Sequence, residues 1–262
     1  MVEFFGSLER YREKEIPSLI GAKDRRKGYR EHRIDDQNDY FNEPLVDVRS
    51  FDIEGTNYYN RADNPPYYES VPGSLQKLLV RRSVARRLKE ADVILRENGL
   101  RLHIHDAWRP IEIQKHFHDI WMPAQIRKER PELTDAQVLV EVEKYWAAPS
   151  VSEQKPAPHA TGGAVDLTLY YRESNDPLYM GSIFDDVSDL AHTDYYESYA
   201  ISARYSDTEA RANRRILYWV MSDAGFANNP NEWWHFSWGD QMWAKLTDEP
   251  AAYYGLARLP QN

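Results

Sequence analysis

The chain reads as an α+β protein, and three observations predict that class. Helix-like and strand-like stretches follow one another without the regular strand–helix–strand spacing of a parallel sheet. Apolar residues recur at three- and four-residue steps in some stretches and alternate strictly in others. No internal repeat and no Gly/Ser-rich linker divides the 262 residues, a length that can bury a sizeable core. We take 1–262 as one domain, with 1–45 as an N-terminal arm.

Residues 1–45 are charged and weakly periodic, and read as a wrapping segment with one helix, the run Lys23-Asp-Arg-Arg-Lys27 being a solvated face. Val46 to Pro72 reads as loops around one short strand, with a turn at Asn64-Pro-Pro-Tyr-Tyr68. Ser74 to Asn98 is the clearest helix: Leu75, Leu78, Leu79, Ala85, Leu88, Ala91 and Leu95 form a stripe, Arg81, Arg82, Arg86 and Arg87 fall on a solvated face, and Gly99 stops it. Leu100, Leu102 and Ile104 alternate with Arg101, His103 and His105, a strand that closes in Asp106-Ala-Trp-Arg-Pro110.

Ile111 to Trp121 resumes helical spacing, and Pro123 to Pro131 reads as a polar connector. Thr134-Asp-Ala-Gln137 has the form of a capping box and opens a helix through Val138, Val142 and Tyr145. Pro149 to Pro158 is a loop. A strand begins at Asp166 and continues in Leu167-Thr-Leu-Tyr170, and an acidic loop runs from Arg172 to Asp194. Asp207 is the predicted cap of a helix over Thr208–Ala224, stopped by Gly225, and Trp233 to Trp238 is the last strand.

The net charge of −9 argues against nucleic acid and against anionic membranes as partners, since phosphate binding needs a basic face. No run reaches the ~18 apolar residues of a membrane span. Met1 to Arg10 lacks a basic start and an apolar stretch, so no signal peptide is read there, and a cytoplasmic location is expected with the periplasm as the alternative. The absence of cysteine excludes disulfides, a thiol nucleophile and cysteine-based zinc ribbons. Any metal must be held by histidine and carboxylate.

One stretch supplies both. Pro156-Ala-Pro-His159-Ala-Thr-Gly-Gly-Ala-Val-Asp166 sets an imidazole and a carboxylate around paired glycines, and both groups bind a divalent ion of the zinc type. The glycines permit a tight turn or a close backbone approach. Two ligands do not close a site. His235, in Asn231-Glu-Trp-Trp-His-Phe236, is the candidate third, and Glu232 comes with it as a possible base. In an ideal strand these two would face opposite ways, so Glu232 must lie in the turn supplied by Asn228-Asn-Pro-Asn231. Trp233, Trp234 and Phe236 would wall the ion in a medium of low dielectric. Three protein ligands leave a catalytic zinc one open position. Arg109, a forked donor at a strand end, suits a developing oxyanion or a substrate carboxylate, or else a surface salt bridge.

Together His159-x-x-Gly162-x-x-x-Asp166, Glu232-Trp-Trp-His235 and Asp106-Ala-Trp-Arg-Pro110 resemble the D-Ala-D-Ala dipeptidase branch of the zinc D,D-peptidases, the group that includes vancomycin-resistance dipeptidases. Met180-Gly-Ser-Ile-Phe-Asp185-Asp and the helix running into Ala224-Gly-Phe226 add to the likeness, which covers roughly Leu75 to Trp243. The resemblance implies a small antiparallel sheet with helices packed around it, of the hedgehog/D,D-peptidase type. It implies one Zn²⁺ on His159, Asp166 and His235, Glu232 as general base, Arg109 at the oxyanion, and Asp185 meeting the free amino group of a short dipeptide substrate. The chain departs from the family at Ala157, where a serine is usual. The other readings are a D,D- or L,D-carboxypeptidase or endopeptidase acting on longer peptidoglycan stems, and a non-catalytic zinc-containing binding module.

Overall fold

The computed structural model describes residues 8–143, 145–146, 148–198 and 204–259. The N-terminal segment forms two short helices rather than one, α1 (Glu9–Glu13) and α2 (Ile20–Arg26). It is fastened to the body: Leu8 and Tyr11 are buried, and the Tyr11 hydroxyl donates to Asp223 Oδ2 at 2.5 Å. Strands β1 (Leu45–Asp47) and β2 (Glu54–Gly55) follow.

The predicted helix from Ser74 is shorter at its start. Leu79–Arg81 is instead a strand, β3, paired antiparallel with β1, and helix α3 spans Arg82–Arg96. Leu78, Leu79 and Val80 are buried one after another, which a strand covered on both faces allows and a helix stripe does not. Arg81 is not solvated either. Its guanidinium donates to the Thr161 carbonyl at 2.8 Å and the Glu43 carbonyl at 2.5 Å, so the buried cation is satisfied. Within α3 the predicted stripe of Ala85, Leu88, Ala91 and Leu95 is buried.

Strand β4 is Leu100–Asp106. Helix α4 (Ile111–Lys115) passes through a π-helical turn, His116–Trp121, into α5 (Met122–Glu129). The expected connector is therefore helical as far as Glu129: Pro123 follows directly on the π-helical turn, and Met122 and Ile126 bury one face. Helix α6 (Asp135–Val142) has its capping box, with Thr134 N–H donating to Gln137 Oε1 at 2.9 Å; Tyr145 lies beyond its end. Strand β5 is Ala164–Tyr171 and helix α7 is Tyr205–Asp223. Asp207 lies inside the first turn of α7 instead of capping it. Strands β6 (Ala227–Asn228) and β7 (His235–Ser237) and helix α8 (Gln241–Leu246) complete the chain. Trp233 and Trp234 precede β7, because His235 N–H turns back to the Glu232 carbonyl at 3.2 Å.

The main sheet has the order β2-β4-β5-β7-β6 and is antiparallel except for the short β2 edge, which runs parallel to β4. Its register builds the site. Asp166 on β5 lies opposite Asp106 on β4 and opposite His235 on β7. Asp106 reaches that position through a bulge. Ile104 pairs with Leu167 and Asp106 with Asp166, so His105 is an extra residue on β4. Strict alternation would send Asp106 to the face of Ile104, and the inserted residue turns it to the face of Asp166.

Candidate active site

His159 sits on a 3-10 turn, Pro158–Thr161, that Gly162 ends with φ +73°. A Cβ on Gly162 would stand 2.5 Å from Leu45 Cδ2, and one on Gly163 would stand 2.7 Å from the Trp238 carbonyl. The paired glycines therefore serve both a left-handed turn and a close approach.

The three donors expected from the sequence come together. His159 Nε2 lies 3.3 Å from Asp166 Oδ2 and 3.2 Å from His235 Nδ1, and His235 Nδ1 lies 3.0 Å from Asp166 Oδ1. All three residues are buried. Tetrahedral bonds of about 2.0–2.1 Å hold ligand atoms roughly 3.3 Å apart, so the spacing suits one small ion. The rings are poised for it. His159 Nδ1–H donates to the Ala107 carbonyl at 2.8 Å, which leaves Nε2 with a lone pair. His235 Nε2 lies 3.3 Å from Ser237 Oγ, which leaves Nδ1. Asp166 Oδ1 is buried and accepts no hydrogen bond. Burial opposes ionisation of Asp166, yet the two imidazoles hold its carboxyl well below the usual range. Burial likewise opposes a charge on His235, but Asp166 raises its pKa. The donor set fits a divalent metal.

Glu232 lies in the turn before β7, as its reach requires. Its Oε2 is 3.6 Å from His235 Nδ1 and accepts from Asn229 Nδ2 at 2.9 Å. It lines the cavity beside the donors without entering the triad. Arg109 is buried rather than on the surface. It donates to Asp106 Oδ2 at 2.8 Å, Gln114 Oε1 at 2.9 Å, and both the Tyr59 hydroxyl and Asp166 Oδ2 at 3.3 Å. Burial works against its charge, but Tyr59, Asp106 and Asp166 keep it protonated.

Asp185 lines the same cavity with φ +58°, and its Oδ2 accepts from Tyr67 at 2.7 Å and Tyr59 at 2.9 Å. Burial, then the charge of Asp166, pushes its carboxyl up to about 8, against the pull of Arg109 and the two hydroxyls. Of the three aromatic residues around His235, only Trp234 lines the cavity. Trp233 turns away to Ser182 Oγ at 2.9 Å, and Phe236 is core.

Sequence reasoning missed Tyr59, Tyr67, Gln114, Asn229, Arg26 and Tyr29. Tyr59, Tyr67 and Asn229 lie outside any periodic stretch, and Gln114 lies in the predicted helix after Pro110, whose spacing marks a helix but not a site residue. Arg26 was placed on a solvated face, but it and Tyr29 line the cavity.

Fold and site together define a class: an α+β protein with a buried two-histidine, one-carboxylate donor set and a further carboxylate beside it, the equipment of a metallohydrolase. Residues 46–252 match the peptidase M15 family model, described as D-Ala-D-Ala dipeptidase. The chain is 31% identical to a D-alanyl-D-alanine dipeptidase of Synechocystis over 81% of this chain and 91% of that one. It is 26% identical to one of Enterococcus faecalis over 67% and 77%, and 29% identical to one of Escherichia coli over 61% and 66%. The chain belongs to the peptidase M15 family of D-Ala-D-Ala dipeptidases, and is a metallopeptidase.

Proposed function

We propose that this chain hydrolyses D-alanyl-D-alanine, or a similar short cell-wall-derived dipeptide, with one zinc ion held by His159, Asp166 and His235. The observation that carries the reading is the meeting of three metal donors, a neighbouring carboxylate and a buried amine-matching carboxylate in one cavity. A zinc ion there would supply Lewis acidity, polarising the scissile carbonyl and acidifying water.

The remaining work falls to side chains. Glu232, held by Asn229, takes a proton from the attacking water at Oε2 and returns it to the leaving amine. Arg109, fixed by Asp106 and Gln114, turns its outer nitrogen toward the carbonyl oxygen as negative charge develops there. Asp185, ionised by the arriving ammonium, fixes the amino end of the substrate. That end-recognition favours a free dipeptide over a longer peptidoglycan stem. A purely structural ion would need neither Glu232 nor Arg109.

The test is release of free alanine from D,D-, L,D- and L,L-dipeptides and from N-acetyl-D-Ala-D-Ala. The reading expects cleavage of free D-Ala-D-Ala and little of its acetylated form. Equal rates on both would transfer the assignment to carboxypeptidases, and no cleavage of any would favour a binding module.

A further inference from the structure

The match to the family model starts at residue 46, yet two residues ahead of it, Arg26 and Tyr29, line the same cavity as His159, Glu232 and Asp185. They are not loosely placed. Leu19 N–H donates to Asp194 Oδ2 at 3.0 Å, Arg25 pairs with Asp248 at 3.0 Å, and Gln241 Nε2 donates to the carbonyls of Arg30 at 3.0 Å and His32 at 2.6 Å. Four anchors thus hold α2 and the turn after it against the body.

The cavity wall contains two guanidinium groups. Each nitrogen of Arg109 already has a partner among Asp106, Gln114, Tyr59 and Asp166, and its outer nitrogen is the one assigned above to the scissile carbonyl oxygen. Arg26 makes no hydrogen bond and no ion pair among the described residues, and its Nε is buried without a partner. Arg26 as a whole is half-buried and its guanidinium carbon lies 6.0 Å from the centre of the Tyr29 ring, but a buried N–H left without an acceptor is unfavourable and is relieved by a ligand that accepts from it. The wall also holds Asp186 and Glu232, but neither forms an ion pair with Arg26. Ala157, lining the same wall, offers no side-chain hydrogen bond.

A dipeptide is a zwitterion. Its ammonium is matched by Asp185, which leaves its carboxylate in need of a cation. Resting on the dipeptidase reading above, we propose that Arg26 grips the terminal carboxylate of the substrate, so that the N-terminal segment supplies a substrate-binding residue from ahead of the matched stretch 46–252. A guanidinium meets a carboxylate through two parallel N–H donors, which a lysine in its place cannot do.

The experiment compares D-Ala-D-Ala with its neutral C-terminal amide on the zinc-loaded wild type, Arg26→Gln and Arg26→Lys, all full-length. The expected result is a KM for the acid raised roughly tenfold to a hundredfold in Arg26→Gln, with kcat changed far less, because the lost contact is a charge-assisted one. The KM for the amide should stay near wild type, and Arg26→Lys should recover part of the loss. An unchanged KM for the acid, or equal rises for acid and amide, would overturn the assignment while leaving the dipeptidase reading intact. A wild type that cleaves neither compound would defeat both.

Discussion

Nε2 of His159 faces Nδ1 of His235 across 3.2 Å, and each ring has committed its other nitrogen, to the Ala107 carbonyl and the Ser237 hydroxyl. Two imidazole lone pairs directed at each other beside a carboxylate are a poor arrangement without a cation between them. The purified protein should therefore carry one metal ion per chain, and His159→Ala or His235→Ala should lose it. Chelation should lower the melting temperature by several degrees, since an ion bound only by the native state stabilises it by mass action. Metal analysis and a thermal melt with and without chelator check this. Full metal content in either variant would contradict the assigned ligands.

Asp185 should govern the amino end alone. Asp185→Asn keeps the shape and the contacts with Tyr59 and Tyr67 but removes the charge, so KM for free D-Ala-D-Ala should rise at least about tenfold, the scale of one charge-assisted hydrogen bond. Steady-state kinetics on free and N-acetylated dipeptide should show the two converging in the variant. A preserved preference for the free amine would place its recognition elsewhere.

The bulge that turns Asp106 into the site leaves its own mark on acid stability. His105, the extra residue, is buried with Nδ1 unpartnered, and burial followed by the charge of His103 lowers its pKa from 6.5 to about 3. Burial and then Arg101 lower that of His103 to about 4. In the unfolded chain both rings take up protons near pH 6.5, whereas the folded rings stay neutral until much lower pH. Stability is thus fully present above pH 6.5 and is lost as pH falls toward 4. Denaturant unfolding of His105→Phe across that range should give a flatter acid limb than wild type. An identical slope would contradict the buried neutral imidazole.

The parts of the site that were legible in the sequence were those set by local spacing. His159 and Asp166 share one glycine turn and the strand it feeds, and Glu232 and His235 share one turn before β7, so a short window held each pair. The fold class was legible for the same reason. What escaped came from distant pairing. Leu78 to Arg81 carry helix-compatible spacing, and only β1, arriving from Leu45 to Asp47, makes a strand of them. The bulge at His105 is invisible without β5 beside it. Tyr59 and Tyr67 reach Asp185 across more than a hundred residues, |i−j| being 126 and 118, through loops whose composition signals only turns. Arg26 sits in a run of charge that looks solvated until the cavity it lines is seen.

The central claim is that Glu232 moves the proton while His159, Asp166 and His235 hold the ion. Glu232→Gln keeps the side chain's size and lies outside the donor triad. The decisive measurement is alanine release from D-Ala-D-Ala by wild type and Glu232→Gln at matched zinc content. The account predicts equal zinc in both and a loss of activity of at least about 10²-fold in the variant, the lower end for a positioned general base. Wild-type turnover by Glu232→Gln at full zinc occupancy would contradict it.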